Sequence, residues 1–593
     1  MKKKSLLVNL LKYMKGYHWY YIFGLLMMAF IVVVDLLVPY ITGRTLAILG
    51  EDIIDFNKIL ILLIVSFILV VSASILTYAQ TMVLNHAGHR IILGIRSKVM
   101  SHIQTLSHDQ FNNIPVGKLV TRVTSDVNVL WDMYTHIILN LIKNIVTIIG
   151  VFVAMFMLNS SLALILLVIV PFLLTFTYIF RNYSRKVHRV VRDNVSNMNS
   201  FLSENISGMK IIQVFNQEDK KYEEFKQNNN QLKKSLIKEI FVFGIFRPSI
   251  YVLYIASVII VLWYGGNKAI DLNLGVIEVG ITYSVLYTFY QYVSKFFNPI
   301  QALADQFNTL QSAFASAEKI FSILDINPTI VDSKDAIDME ITGDIEFRDV
   351  WFSYVPGEWV LKGVSFHIRP NQTVAFVGKT GSGKTTILSL IVRNYDIQKG
   401  QILIDGVDIK KIKLDCLRSQ FGQMLQDVFL FSGNVLDNIQ LYDENITYDE
   451  VVESSKYVNA DKFISELPNG YYETVRERGN NFSLGQRQLI SFARAIVHKP
   501  KIMILDEATA NIDTESESLI QDSLKKIMED GTVLVVAHRL STIQHSDNII
   551  VFHEGEIIEQ GNHQELLKLR GRYYDLFMLQ FAKNEIKKQI KDK

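Results

Sequence analysis

The stretch Thr373-Val374-Ala375-Phe376-Val377-Gly378-Lys379-Thr380-Gly381-Ser382-Gly383-Lys384-Thr385-Thr386-Ile387-Leu388 decides the fold of the second half of this chain. Thr373 to Val377 reads as a short buried strand, and Thr386-Ile387-Leu388-Ser389-Leu390 opens a helix. Between them, Gly378 to Thr385 matches the phosphate-loop pattern in full. The glycines let consecutive backbone N–H groups wrap a phosphate at a helix N-terminus, where the dipole favours anions. Lys384 is expected to reach the β- and γ-phosphates of a nucleotide, and the Thr385 hydroxyl to hold Mg²⁺. Gly378, Lys379, Thr380, Gly381, Ser382, Gly383 and Thr386 complete the expected nucleotide cradle.

Further along, Lys501-Ile502-Met503-Ile504-Leu505-Asp506-Glu507 is an apolar strand ending in two carboxylates. In an open α/β sheet, ligands sit beyond the carboxyl ends of the strands. Asp506 is therefore placed to hold Mg²⁺, commonly through water, and Glu507 to polarise the attacking water. Phosphoryl transfer needs chiefly positioning and charge stabilisation, so a metal-holding carboxylate beside a base-like one is chemically sensible. Many strands end in Asp-Glu; it is the preceding phosphate loop that gives this pair its meaning.

The first half of the chain reads differently. Hydrophobic residues make up 49% and charged residues 20% of the sequence, which suits a chain partly in membrane and partly in water. The 60 basic and 58 acidic residues nearly cancel to +2, which gives no footing for nucleic acid. Cys416, the single cysteine, rules out an internal disulfide framework. Nearly all long uncharged stretches lie before residue 305, and six candidates reach the ~20 apolar residues that a membrane helix needs. They cover about 20–41, 59–85, 137–158, 161–181, 248–266 and 276–300, with Asn159-Ser160-Ser161 as the turn between the third and fourth.

Lys and Arg crowd the segments 86–136 and 181–238, whereas the first loop on the opposite side carries Glu51, Asp52 and Asp55. Basic residues favour the cytoplasmic side, so both termini and both long loops are expected there. Helical periodicity in those loops predicts that spans two to five continue as helices beyond the bilayer. Residues 1–18 lack a small-residue cleavage site and read as a basic amphipathic helix on the inner membrane surface. Within the spans, Asp35 is a functional candidate, because a carboxylate there is costly unless it faces a cavity or a partner. Span six, which also carries Glu278 and Lys295, is rich in aromatics: Tyr283, Tyr287, Phe289, Tyr290, Tyr292, Phe296 and Phe297. Such a set suits stacking on apolar cations or ordinary helix packing.

The run Phe482-Ser483-Leu484-Gly485-Gln486-Arg487-Gln488 resembles the signature motif of ATP-binding cassette (ABC) transporters. Other motifs of that family appear in order. Tyr354 looks like the aromatic residue that stacks on adenine, and Gln426 like the glutamine that senses Mg²⁺ and the membrane domain. Glu477-Arg478-Gly479 resembles the exporter-specific segment before the signature. Ala510-Asn511-Ile512-Asp513 looks like the loop crossing to a partner site. His538, after the strand Val533-Leu534-Val535-Val536, resembles the switch histidine that contacts the γ-phosphate. Pro115–Thr124 and Gly208–Phe215 resemble the cytoplasmic loops of the exporter class, near which short coupling helices press on the ATPase domains.

The resemblance implies a multidomain chain: an all-α six-helix transmembrane domain followed by an α/β P-loop nucleotide-binding domain. Its expected layout is an elbow helix over 1–18, a transmembrane domain over 19–320, a linker over 321–341, a nucleotide-binding domain over 342–583 and a basic tail over 584–593. The implied cofactors are ATP and Mg²⁺, with Glu507, His538 and Lys384 catalytic and Thr385, Gln426 and Asp506 at the metal. Each nucleotide in this family lies between the phosphate loop of one cassette and the Ser483, Gly485 and Gln486 positions of another. A second half-transporter subunit in the lipid bilayer is thus implied, moving a small hydrophobic substrate.

The signature departs from the common Leu-Ser-Gly-Gly-Gln form, with Phe482 for the leucine and Leu484 for the first glycine. Leu484 adds bulk and restricts the backbone where glycine permits close approach. With the phosphate loop, Glu507 and His538 intact, the chain resembles the catalytically competent subunit of bacterial heterodimeric multidrug exporters. A homodimer that tolerates Leu484 is the alternative. Multidrug export is the expected function, with a lipid or lipid-linked flippase as runner-up; six spans in one chain argue against an ATPase of DNA repair or translation. The Lys- and Asn-rich composition suits the plasma membrane of a low-GC bacterium, with the nucleotide-binding domain cytoplasmic.

Overall fold

The computed structural model describes residues 3–51, 53–273, 283–424, 428–506, 514–529, 531–536 and 543–579. The chain forms two compact units, Met1–Gln104 with Pro115–Ile326, and Thr105–Ile114 with Asn327–Lys593.

The first unit is built of helices. In order they are α1 (Lys3–Met14), α2 (His18–Leu49), α3 (Phe56–Thr105), then, after α4 (His108–Asn112) of the second unit, α5 (Val116–Thr121), α6 (Val127–Asp132), α7 (Ile138–Leu158), α8 (Ser160–Ser207), α9 (Met209–Val214), α10 (Glu218–Asn273) and α11 (Tyr283–Leu324). Among the described residues, five stretches are long and apolar enough to cross a membrane: His18–Leu49, Phe56–Thr105, Val116–Leu158, Ser160–Ser207 and Glu218–Lys268. The sixth expected span, 276–300, starts on residues outside the described set, as does its Glu278, and continues into α11. α3, α8 and α10 run for 50, 48 and 56 residues, far beyond the ~20 needed to span, so the helices do continue into the long loops.

Local chemistry accounts for the breaks. The Asn159 side chain accepts the Leu162 N–H at 3.1 Å and caps α8 where α7 has just ended. Two π-helical turns, Arg122–Asp126 and Met133–Ile137, flank α6. There the Asp126 carboxylate takes the Arg122 guanidinium and the Ser316 hydroxyl, the latter at 2.7 Å. Buried Tyr134 donates its hydroxyl to the Leu10 carbonyl at 2.9 Å and ties α1 to the bundle. Of the span-six aromatics, Phe289, Tyr292, Phe296 and Phe297 are buried in the core with Val151, Leu166 and Ile250. Each such burial stabilises by about 1.5–3 kcal/mol, so packing explains most of that cluster.

The second unit is α/β. An antiparallel four-stranded sheet has the order β2-β1-β4-β5, with β1 Ile345–Phe352, β2 Leu361–Ile368, β4 Lys399–Ile404 and β5 Val407–Asp408. A six-stranded sheet has the order β12-β11-β3-β10-β9-β6. In it β3 (Thr373–Gly378), β6 (Phe421–Met424), β9 (Ile502–Asp506), β10 (Thr532–Val536) and β11 (Asn548–His553) are parallel, and β12 (Glu556–Gly561) is antiparallel at the edge. β3 and β10 carry almost no polar residue and are buried throughout their apolar runs, as strands covered on both faces must be. Cys416 is half-buried, its thiol donating to the Met339 carbonyl at 3.0 Å.

Candidate functional site

Parallel register brings the carboxyl ends of neighbouring strands level. Val536 of β10 pairs with Phe376 of β3 on one side and Asp506 of β9 on the other, and Phe552 of β11 pairs with Gly378. The phosphate loop leaves β3 at this edge and returns into α12 (Lys384–Ile391). Gln426, Glu507 and His538 follow β6, β9 and β10 in sequence; these three, with Asp513, lie outside the described residues.

The loop is shaped by its neighbours. A Cβ on Gly378 would sit 2.5 Å from the Phe552 carbonyl oxygen and 2.6 Å from Ser382 Oγ. Gly383, the N-cap of α12, has φ +104°, a conformation that side chains disfavour, and a Cβ there would meet Leu361 at 2.7 Å. Lys384 is buried, its Nζ donating to the carbonyls of Gly378 at 2.8 Å and Lys379 at 3.0 Å. Burial holds its ammonium below the ordinary lysine range, and the carboxylate of Asp506 offsets part of that shift. Ser382 Oγ is buried with no hydrogen-bond partner among the described residues. An unmet hydroxyl, a partly desolvated ammonium and a glycine-lined turn at a helix N-terminus together fit a phosphate anion. Thr385 faces outward at the start of α12.

Tyr354 stands beside this loop. Its hydroxyl donates to Thr386 Oγ1 at 3.1 Å, so Thr386 points inward and fixes the tyrosine. The Tyr354 ring meets Phe352 and Tyr395 edge-on, at 4.9 and 5.1 Å, and stays 47% exposed, leaving area for a base to stack.

Ser483, Gly485 and Gln486 are placed elsewhere in the second unit, at the start of α17 (Leu484–Val497); α13 to α16 are Leu414–Ser419, Val435–Gln440, Tyr448–Tyr457 and Asp461–Glu466. Ser483 accepts the Gln486 N–H at 3.2 Å while the Gln486 side chain accepts the Ser483 N–H at 3.0 Å, a reciprocal capping box. Phe482 is buried in the core below, and Leu484 is half-buried. Ahead of it, Arg478 has φ +56°, an uncommon conformation for a side-chain-bearing residue, and its carbonyl accepts from Arg487 at 3.5 Å. Farther down α17, Arg494 donates to the carbonyls of Phe429 at 3.0 Å and Asn438 at 2.8 Å, anchoring the segment that follows Gln426.

One contributor escaped the sequence reading. α4, which lies between the first-unit helices α3 and α5 in sequence, groups with the second unit. Ser107 caps α4 with Gln110 and shares a hydrogen bond with Thr329, and His108 meets Tyr395 edge-on at 5.8 Å. Tyr395 thus touches both α4 and the Tyr354 platform. The Ser-x-x-Gln spacing of a capping box was the available signal.

The family pattern of the ABC transporter transmembrane region matches residues 21–292, and that of the ABC transporter matches residues 361–510. The chain is 39% identical to the "Probable multidrug resistance ABC transporter ATP-binding/permease protein YheH" of Bacillus subtilis, over 85% of this chain and 74% of that protein. It is 37% identical to the ABC transporter ATP-binding protein YknV of the same organism, over 93% and 90%. It is 34% identical to the "ATP-dependent lipid A-core flippase" of Syntrophus aciditrophicus, over 87% and 84%. With a helical transmembrane region and a nucleotide-binding α/β domain in one polypeptide, this chain belongs to the ABC transporter family, as an exporter half-transporter that couples ATP hydrolysis to transport.

Proposed function

We propose that the chain exports hydrophobic or amphipathic compounds across the bacterial plasma membrane as one half of a heterodimer, with its nucleotide-binding domain in the cytoplasm. What supports the dimer is that the two motifs of an ATP site are built independently of each other. The phosphate loop is shaped by β2, β3 and β11, while the Ser483 turn is closed on itself by its own capping box. A nucleotide that needs both finds the second on another chain.

In this reading Lys384 and the loop amides of Gly378–Thr385 bind the β- and γ-phosphates. Thr385, Asp506 and Gln426 would hold Mg²⁺, which supplies charge neutralisation on the phosphates when bound. Glu507 orients and polarises the attacking water, His538 contacts the γ-phosphate, and Tyr354 stacks on adenine. Asp513 reaches toward the opposite site, and Ser483, Gly485 and Gln486 serve the partner's nucleotide. Leu484 makes that second site the weaker one, which favours a heterodimer over a homodimer. ATP favours the closed pair because it binds that state better.

A relative named for multidrug resistance supports the substrate class, and one named for lipid A-core flipping supports a lipid as the second reading. Inside-out vesicles containing the full chain and its partner subunit separate them. ATP-dependent uptake of an apolar dye, absent in Lys384→Ala, supports drug export; uptake that fails for dyes while a labelled lipid changes leaflet supports the flippase.

A further inference from the structure

The membrane unit holds an ion pair between two spanning helices. Lys295 Nζ of α11 lies 3.5 Å from Asp35 Oδ1 of α2, at the limit of a hydrogen bond. Contacts on one side brace the two helices here. Tyr292, one turn before Lys295, donates its hydroxyl to the Leu36 carbonyl at 2.8 Å. Farther along, a Cβ on Gly43 would lie 2.0 Å from Thr288 Oγ1, so the helices touch closely there. The pair itself is loose: its side chains stay 43% exposed at Asp35 and 32% at Lys295.

That exposure is not toward lipid. Phe23, Leu26, Phe30, Val33, Leu37 and Tyr40 form a continuous exposed apolar stripe at helical spacing along α2. Asp35 is about 200° around the helix from Val33, at 3.6 residues per turn, and so lies on the opposite side. A charged pair in a span faces protein or a water-filled path. The open edge of Asp35 and Lys295 therefore belongs to the transport side of the unit.

Both signs matter for what can bind. A lone organic cation taking Asp35 would strand the Lys295 ammonium, and a lone anion would strand the carboxylate; each leaves an unpaired charge in a poorly solvated place. A ligand with an ammonium and an anionic group inserts between the two and leaves none unpaired. We propose that Asp35 and Lys295 form a recognition site for zwitterionic amphiphiles. The site rests on the export reading above.

The test uses the full chain with the partner subunit its ATPase requires, in phosphatidylglycerol nanodiscs, where the bilayer offers no zwitterion. Stimulation of ATPase over each protein's own basal rate is measured with hexadecylphosphocholine, hexadecyltrimethylammonium and hexadecyl sulfate. The expected half-maximal concentration is about tenfold lower for the zwitterion, a difference of 1.4 kcal/mol. Lys295→Met moves the preference to the cation, Asp35→Asn moves it to the anion, and the exchanged pair Asp35→Lys with Lys295→Asp restores the zwitterion. Phosphatidylethanolamine nanodiscs identify the source: a raised basal rate with blunted stimulation assigns the site to a lipid headgroup, and an unchanged response assigns it to a free amphiphile. A preference that survives Asp35→Asn with Lys295→Met overturns the site while leaving export standing. So does an exchanged pair that folds but does not regain the preference for the zwitterion. A parent protein that no amphiphile stimulates overturns both.

Discussion

The phosphate loop and the Ser483 turn are both glycine-bearing entries to a helix, yet they are held in different ways. At the loop, residues distant in sequence close around Gly378 and Gly383: Phe552 of β11 and Leu361 of β2 leave no room for a side chain. At the turn, the bonds are local, Ser483 to Gln486 and back. A loop built by tertiary contacts is preformed for its ligand, whereas a locally capped helix end presents itself outward. In the proposed two-chain arrangement, each chain offers one preformed loop to its own nucleotide and one outward turn to its partner's.

The largest effect should fall on the tertiary side. Lys384→Ala is expected to lower the ATPase of the assembled transporter by about 10²–10³-fold, as removal of a preorganised donor to transition-state charge does. Its hydrogen bonds are to loop carbonyls at 2.8 and 3.0 Å, so thermal stability should change little by comparison, and melting beside activity checks this. Gly378→Ala should instead lose both, because overpacking costs about 1–3 kcal/mol and the Cβ meets a backbone carbonyl.

On the local side, two substitutions at Ser483 separate capping from nucleotide contact. Ser483→Ala loses the cap, about 1 kcal/mol, and activity with it. Ser483→Asp keeps the cap but sets a negative charge toward the partner's phosphate, so melting is preserved while ATPase falls. If both variants melt alike and retain activity, the turn has no role in trans. Smaller still, Leu484→Gly should raise the ATPase of the chain assayed alone, by restoring backbone freedom at the turn.

The smallest effect concerns a capping box that touches no nucleotide. Glu450 accepts from Thr447 N–H, Thr447 hydroxyl and Lys499, and these bonds hold its carboxyl down to about 2. A depressed carboxylate stabilises above its unfolded value, ~4.3, and the contribution fades as pH falls toward about 2. The melting difference between the parent and Glu450→Gln should therefore be present at pH 6 and shrink steadily below pH 4.5.

The sequence showed these parts unequally. Gly378–Thr385 was legible because its function requires a fixed local pattern between a strand and a helix. Asn159 was legible for the same reason, since a polar residue between apolar runs caps the second of them. The pairing of Asp35 with Lys295 was not, because it depends on how α2 and α11 meet, although the cost of an isolated carboxylate pointed to some partner. Nor was the contact of His108 with Tyr395, which joins segments far apart in the chain. The aromatic run of span six left stacking and helix packing both open, and burial of Phe289, Tyr292, Phe296 and Phe297 assigns those four to the core.

The most direct test of the two-chain account is the Mg²⁺-ATPase of this chain purified without any partner, its oligomeric state checked, beside Glu507→Gln. The account predicts a folded, nucleotide-binding chain with almost no turnover, which gains activity when a subunit with glycine at the Leu484 position is added. Robust turnover by the chain alone, abolished in Glu507→Gln, would contradict it and establish a working homodimer.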